Sequence, residues 1–154
     1  MKSKYMQLAK EMAEQGHSHG EGGPFGAVII SKTGEIIAKG NNRVLIDKDP
    51  TAHAEVTVIR EACKKLGTYD LSDYILYTSC EPCPMCLSAI IWANITEVYY
   101  GCTKKDAANI GFRDDAIYEY LKGNNQGLIK LEQVDRDNCI SVFEEYHRKK
   151  KTIY

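Results

Sequence analysis

The sequence predicts a single α/β sandwich domain, because helix-like and strand-like segments alternate along its 154 residues. A helix-period segment opens the chain and a β-branched hairpin follows it. The run YILYT at 74–78 then reads as a strand buried on both faces. The length suits one domain with a real core, and 44% hydrophobic with 27% charged residues is ordinary globular composition.

In residues 3–17, Tyr5, Leu8, Ala9, Met12 and Ala13 share one helical face, and Gly16 reads as the stop. The glycine-rich HSHGEGGPFG that follows is a loop able to lie close to a ligand. A strand over 27–30, a turn at Lys32-Thr33-Gly34 and a returning strand over 35–39 make the hairpin, which Gly40-Asn41-Asn42 ends. A loop runs on to Pro50. Thr51 is the expected N-cap of a helix over 53–66, with Gly67 as its stop. After the strand at 74–78, residues 79–82 turn the chain. Pro84 then fits the first position of a helix running to about residue 93. Further strands are expected at 97–100 and 129–134 and helices at 114–122 and 140–151, with a polar loop over 104–115 and a turn at GNNQG.

Net charge is −1, which gives no overall case for a nucleic-acid partner. No apolar run reaches the ~20 residues of a membrane span, and the N-terminus lacks the apolar centre of a signal peptide, so a cytoplasmic protein is expected. Three of the six cysteines crowd into 80–86, which points to metal chemistry in a reducing compartment rather than to disulfides. Cys63, Cys102 and Cys139 have no local partner and read as small buried apolar residues.

The chemistry concentrates in AHAE at 52–55 and SCEPCPMC at 79–86. His53, Cys83 and Cys86 supply one imidazole and two thiolates, a set suited to tetrahedral Zn²⁺ with its fourth position open to water. Cys83 and Cys86 would share a helix's N-terminal turn, which stabilises thiolate. Glu55 follows His53 by two residues, in the first turn of its own helix. There the dipole would hold it ionised, as the catalytic proton carrier and not as a ligand. H-x-E joined to P-C-x-x-C is the signature of zinc-dependent base deaminases. Cys80-x-x-Cys83-x-x-Cys86 also mimics the start of an iron–sulfur run. However, Ile90 and Ile91 stand near where a fourth cysteine and a proline would be needed. A thiol–disulfide pair would leave H-x-E unexplained. A closed structural zinc site remains open, with Cys80 as fourth ligand.

PFGAV, DPTAHAEV, LYTSCEPCPMC, SAIIWA and GFRDD together resemble the bacterial guanine deaminases of the cytidine deaminase-like superfamily. The likeness covers residues ~20–120 well and the two ends loosely. It implies a three-layer α/β/α fold with a five-stranded mixed sheet. It also implies one Zn²⁺ per subunit and hydrolysis of guanine to xanthine and ammonia. In the substrate pocket it implies Asn42 and the backbone N–H of Ala54 on the base edge, Phe25 and Trp92 walling the ring, and Asp114 contacting the purine. A C-terminal segment would cross to the partner in a domain-swapped homodimer, bringing Tyr154 to the neighbour's pocket. Taken by themselves, Asn42 is a turn residue, Phe25 and Trp92 are core aromatics, Asp114 is a helix cap beside Asp115, and Tyr154 is a chain end. The rival substrates are a tRNA adenosine, guanosine, cytosine or another aminated base. Net charge argues against RNA, although RKKK at 148–151 is a local basic run.

Overall fold

The computed structural model describes residues 2–154. The chain divides into two compact units, one ending at Asp115 and the other spanning Ala116–Tyr154.

The first unit holds α1 (Lys2–Ser18), β1 (Gly26–Ser31), β2 (Ile36–Asn41), α2 (Val44–Asp47) and α3 (Ala54–Leu66). It continues with β3 (Tyr74–Cys80), α4 (Pro84–Trp92), β4 (Glu97–Cys102) and α5 (Lys104–Asn109). The sheet runs β2-β1-β3-β4. β1 is antiparallel to β2 and β3, while β3 and β4 are parallel and joined through α4. This is the predicted α/β class with a mixed sheet.

Strand alternation sorts the side chains to two faces. Ala27, Ile29 and Leu76 pack with Ala54, Val58, Ala62 and Ile90 of α3 and α4. Val28, Ile30 and Tyr77 face the other way, onto Ala9 of α1. The sheet therefore lies between helices in three layers. Close approach sets this geometry: a Cβ on Gly26 would collide with the Ala9 carbonyl.

Several boundaries differ from expectation. Gly16 does not stop α1; it is buried within the helix, where a Cβ would strike the Asn41 side chain. Its role is close packing, not a left-handed cap. β2 continues through Gly40 and Asn41, and β3 through Ser79 and Cys80, so neither segment is a turn. Thr51 does not cap α3, because its hydroxyl and N–H are both bonded to Asp49 and His53 occupies the cap position. The polar stretch after β4 contains α5, whose Thr103–Asp106 capping box satisfies its first turn. Cys63 is half-buried and Cys102 and Cys139 are exposed, against the expectation that all three are buried.

The second unit carries all but the first residue of α6 (Asp115–Leu121) and α7 (Arg136–Arg148), which begins before the expected residue 140. The expected fifth strand at 129–134 is absent, leaving four strands among the described residues. Alternation supplies two side-chain faces but no ladder partner, and Leu131 and Val134 are exposed. No residue of this unit is buried, and Val142 and Phe143 of α7 are exposed too. No helix among the described residues is long and apolar enough to cross a membrane.

Candidate metal centre and active site

Two helix starts make the site. His53 caps α3 and Cys83 caps α4, both with extended backbone. Pro84 presets the first helical residue after Cys83, and Cys86 follows in the same turn. The His53 Nδ1 atom lies 3.5 Å from Cys83 Sγ and 3.5 Å from Cys86 Sγ.

That spacing tests the metal directly. Bonds of about 2.3 Å to sulfur and about 2.0–2.1 Å to nitrogen, at the tetrahedral angle, set S···N near ~3.5 Å. The three donors fit Zn²⁺. No fourth His, Cys, Asp or Glu among the described residues joins the cluster. Cys80 stands outside it, donating its thiol to the Thr103 carbonyl at 3.6 Å, so the closed structural site with Cys80 as fourth ligand is overturned. Burial raises the Cys80 thiol pKa to about 12, the mark of an inert cysteine.

The ligand thiols are unlike each other. Cys83 is lowered to about 4, first by the hydrogen bond from Cys86 and then by His53. Cys86 is raised, because its thiol is hydrogen-bonded to Cys83 and is itself buried. His53 is raised, chiefly by its bond to Cys83. The metal-free pair thus shares a proton that a divalent cation displaces, and metal uptake releases it.

Glu55 projects from the first turn of α3 and is buried, with Oε1 accepting from the Thr78 hydroxyl at 2.9 Å. It was expected to be held ionised by the helix dipole. Burial wins instead and raises its pKa, against the lowering bonds from Cys86 and Thr78. A carboxyl with a folded pKa above its ordinary 4.5 favours the fold in acid, and that contribution is lost as pH rises through the raised value. In metal-free protein, Glu55→Gln should therefore melt above wild type at pH 8. The gap should close as pH falls toward 4.5; calorimetry across that range checks it.

Asn42 is buried, and its Oδ1 accepts from Val44 N at 3.0 Å. That bond leaves the amide's two N–H groups to face elsewhere. A Cβ on Gly22 would collide with this Oδ1, so the glycine-rich loop lies directly against Asn42. Ala54 opens α3, where backbone N–H groups lack intrahelical partners. Asp114 is half-buried, and burial followed by the nearby Cys83 charge raises its pKa. Asp115 pairs with Arg113 instead. Phe25 meets Phe112 edge to face, with ring centroids 5.0 Å apart. Trp92 lies at the far end of α4 from the thiolates and is 67% exposed. Tyr154 belongs to the second unit and is 74% exposed.

Thr78 and Phe112 went unnoticed in the sequence. The signal for Thr78 was a hydroxyl inside a strand otherwise fit for burial. Phe112 lies in GFRDD, whose charged aspartates carry the more obvious chemistry.

Residues 1–102 match the family described as the cytidine and deoxycytidylate deaminase zinc-binding region. The chain is 50% identical to the guanine deaminase of Bacillus subtilis over 143 residues, covering 92% of this chain and 91% of that one. It also resembles an X-ray structure of guanine deaminase from Bacillus subtilis, with TM-score 0.88 and 47% identity over 95% of this chain and 93% of that one. It is 33% identical to the tRNA-specific adenosine deaminase of Haemophilus influenzae over 153 residues, covering 97% of this chain and 87% of that protein.

Proposed function

The chain belongs to the cytidine and deoxycytidylate deaminase zinc-binding family, and on that basis we propose that it hydrolyses guanine at C2 to xanthine and ammonia. The observation that carries the substrate is the 50% identity to a guanine deaminase along 92% of the chain. The likeness to a tRNA-specific adenosine deaminase is weaker, at 33% identity. The net charge of −1 also supplies little to hold a phosphate backbone.

His53, Cys83 and Cys86 would hold a Zn²⁺ ion, which would supply the Lewis acidity that makes water a nucleophile near neutral pH. Glu55, buried beside these ligands, takes a proton from the attacking water as its oxygen adds to C2. It then passes the proton to the ring nitrogen. Glu55, ionised again, takes the second proton from the new hydroxyl and delivers it to the exocyclic amine, whose bond to C2 breaks so that it departs as ammonia and leaves the carbonyl of xanthine. Burial raises the Glu55 pKa and so makes the carboxylate a stronger proton acceptor than an ordinary glutamate.

In the pocket, the Asn42 amide N–H groups and the Ala54 N–H hold acceptors on the base edge. Phe25 and Trp92 wall the ring, and Asp114 contacts the purine. Tyr154 closes the neighbour's pocket in a domain-swapped homodimer, completing the single deaminase fold. Support for the swap lies in the apolar residues exposed on α7 and in β4 as a sheet edge. An apolar cavity of about 570 Å³ beside α1 and α5 adds to it, with Met6, Phe25 and Ile110 in its lining. The setting is the cytoplasm, within purine metabolism.

Xanthine formation from guanine, set against guanosine, cytosine and a tRNA anticodon stem-loop, tests the substrate. Guanine alone should turn over; equal rates on guanosine, or activity confined to the stem-loop, would contradict the proposal. Truncation after Thr152 should lower kcat/KM for guanine roughly tenfold, about the worth of one aromatic wall. Wild-type kinetics in the truncated protein would remove Tyr154 from the pocket.

A further inference from the structure

Thr78 lies on β3 with strand partners on both sides, Ala27 and Tyr100. Its side chain points to the same face as Leu76, toward α3, and it is fully buried at 0% exposure. A hydroxyl so placed is costly unless it is bonded. Thr78 Oγ1 lies 2.9 Å from Glu55 Oε1 and 3.1 Å from the Cys80 carbonyl oxygen. One atom thus joins the proton carrier on α3 to the backbone that leads into the Cys83 and Cys86 segment.

We propose that Thr78 is the positioning residue that aims Glu55. Anchoring Oε1 from the sheet side fixes the carboxylate's rotation and leaves its other oxygen for the reacting groups beside the metal ligands. A hydroxyl both donates and accepts, so the contact survives whether or not Glu55 carries a proton. With Glu55 ionised, the single hydroxyl proton goes to Oε1; with Glu55 protonated, its O–H donates to Thr78 Oγ1 and the Thr78 proton turns to the Cys80 carbonyl, on the strand that ends at the ligand segment. This inference rests on the deaminase function proposed above and adds to it the residue that sets the geometry of proton transfer.

Valine has threonine's shape without the hydroxyl, so Thr78→Val removes the bond and keeps the packing. In zinc-loaded full-length protein, Thr78→Val should keep its metal and its KM for guanine. Its kcat should fall about 100-fold, the cost of a small misplacement at a reacting centre. Thr78→Ser should recover most of that loss. A melting-temperature cycle gives a readout that needs no substrate. Thr78→Val should lower Tm when Glu55 is present and by much less in a Glu55→Ala background. A wild-type kcat in Thr78→Val would overturn the role, as would a Thr78→Ser variant no better than valine. If wild-type protein fails on guanine, the substrate assignment falls. Equal Tm losses in the two backgrounds would then sink the Thr78 link by itself.

Discussion

Zinc-loaded Glu55→Ala is expected to keep one metal per chain and its fold while guanine turnover falls about 10²- to 10⁴-fold, the usual contribution of a positioned proton carrier. Glu55 is outside the donor set formed by His53, Cys83 and Cys86, so alanine leaves coordination intact. Glu55 is also a buried carboxylate whose ionised form burial disfavours. Its removal should not unfold the protein and should relieve a cost at neutral pH. Activity and stability therefore separate at this residue. Metal content by absorption spectroscopy, beside steady-state kinetics, checks the prediction. Loss of zinc in this variant would mean that Glu55 is a ligand after all.

The second large effect belongs to the cysteines, and it distinguishes two that stand six residues apart. Cys86→Ala should lose zinc and activity together, whereas Cys80→Ser should keep both. Cys86 Sγ is 3.5 Å from His53 Nδ1, within the coordination set. Cys80 instead spends its thiol on the Thr103 carbonyl. Metal ties the start of α3 to the start of α4, so its loss should also be visible as stability. At a free zinc concentration about 1,000-fold above Kd, ligation contributes about 4 kcal/mol, or roughly 10 °C in Tm for a chain of this size. Zinc retained by Cys86→Ala, or lost from Cys80→Ser, would reverse the ligand assignment.

The metal centre was legible in the sequence because coordination demands fixed residue types at fixed spacings, and helix starts impose those spacings. Pro84 after Cys83 marks one such start. The two faces of the sheet were legible from alternation, as in Val28, Ile29 and Ile30. Partnering was not. The segment 129–134 alternates like a strand, but alternation specifies only which way side chains point, and no ladder forms on it. Glycine was ambiguous for a related reason: Gly16 serves close contact with Asn41, and the letter alone does not separate that from a helix stop. Glu55 stands in the first turn of α3 as expected, but the direction of its pKa shift was not legible, since a dipole can be read from position in a helix whereas burial depends on the whole fold. Thr78 shows the same limit, because its importance comes from a neighbour 23 positions away in the chain.

The most direct measurement is ammonia release from guanine by zinc-loaded wild-type protein, followed alongside xanthine formation. One ammonia and one xanthine should appear for each guanine consumed, and Glu55→Ala with full zinc should give almost none. A wild-type protein carrying its zinc yet releasing no ammonia from guanine would contradict the proposed reaction.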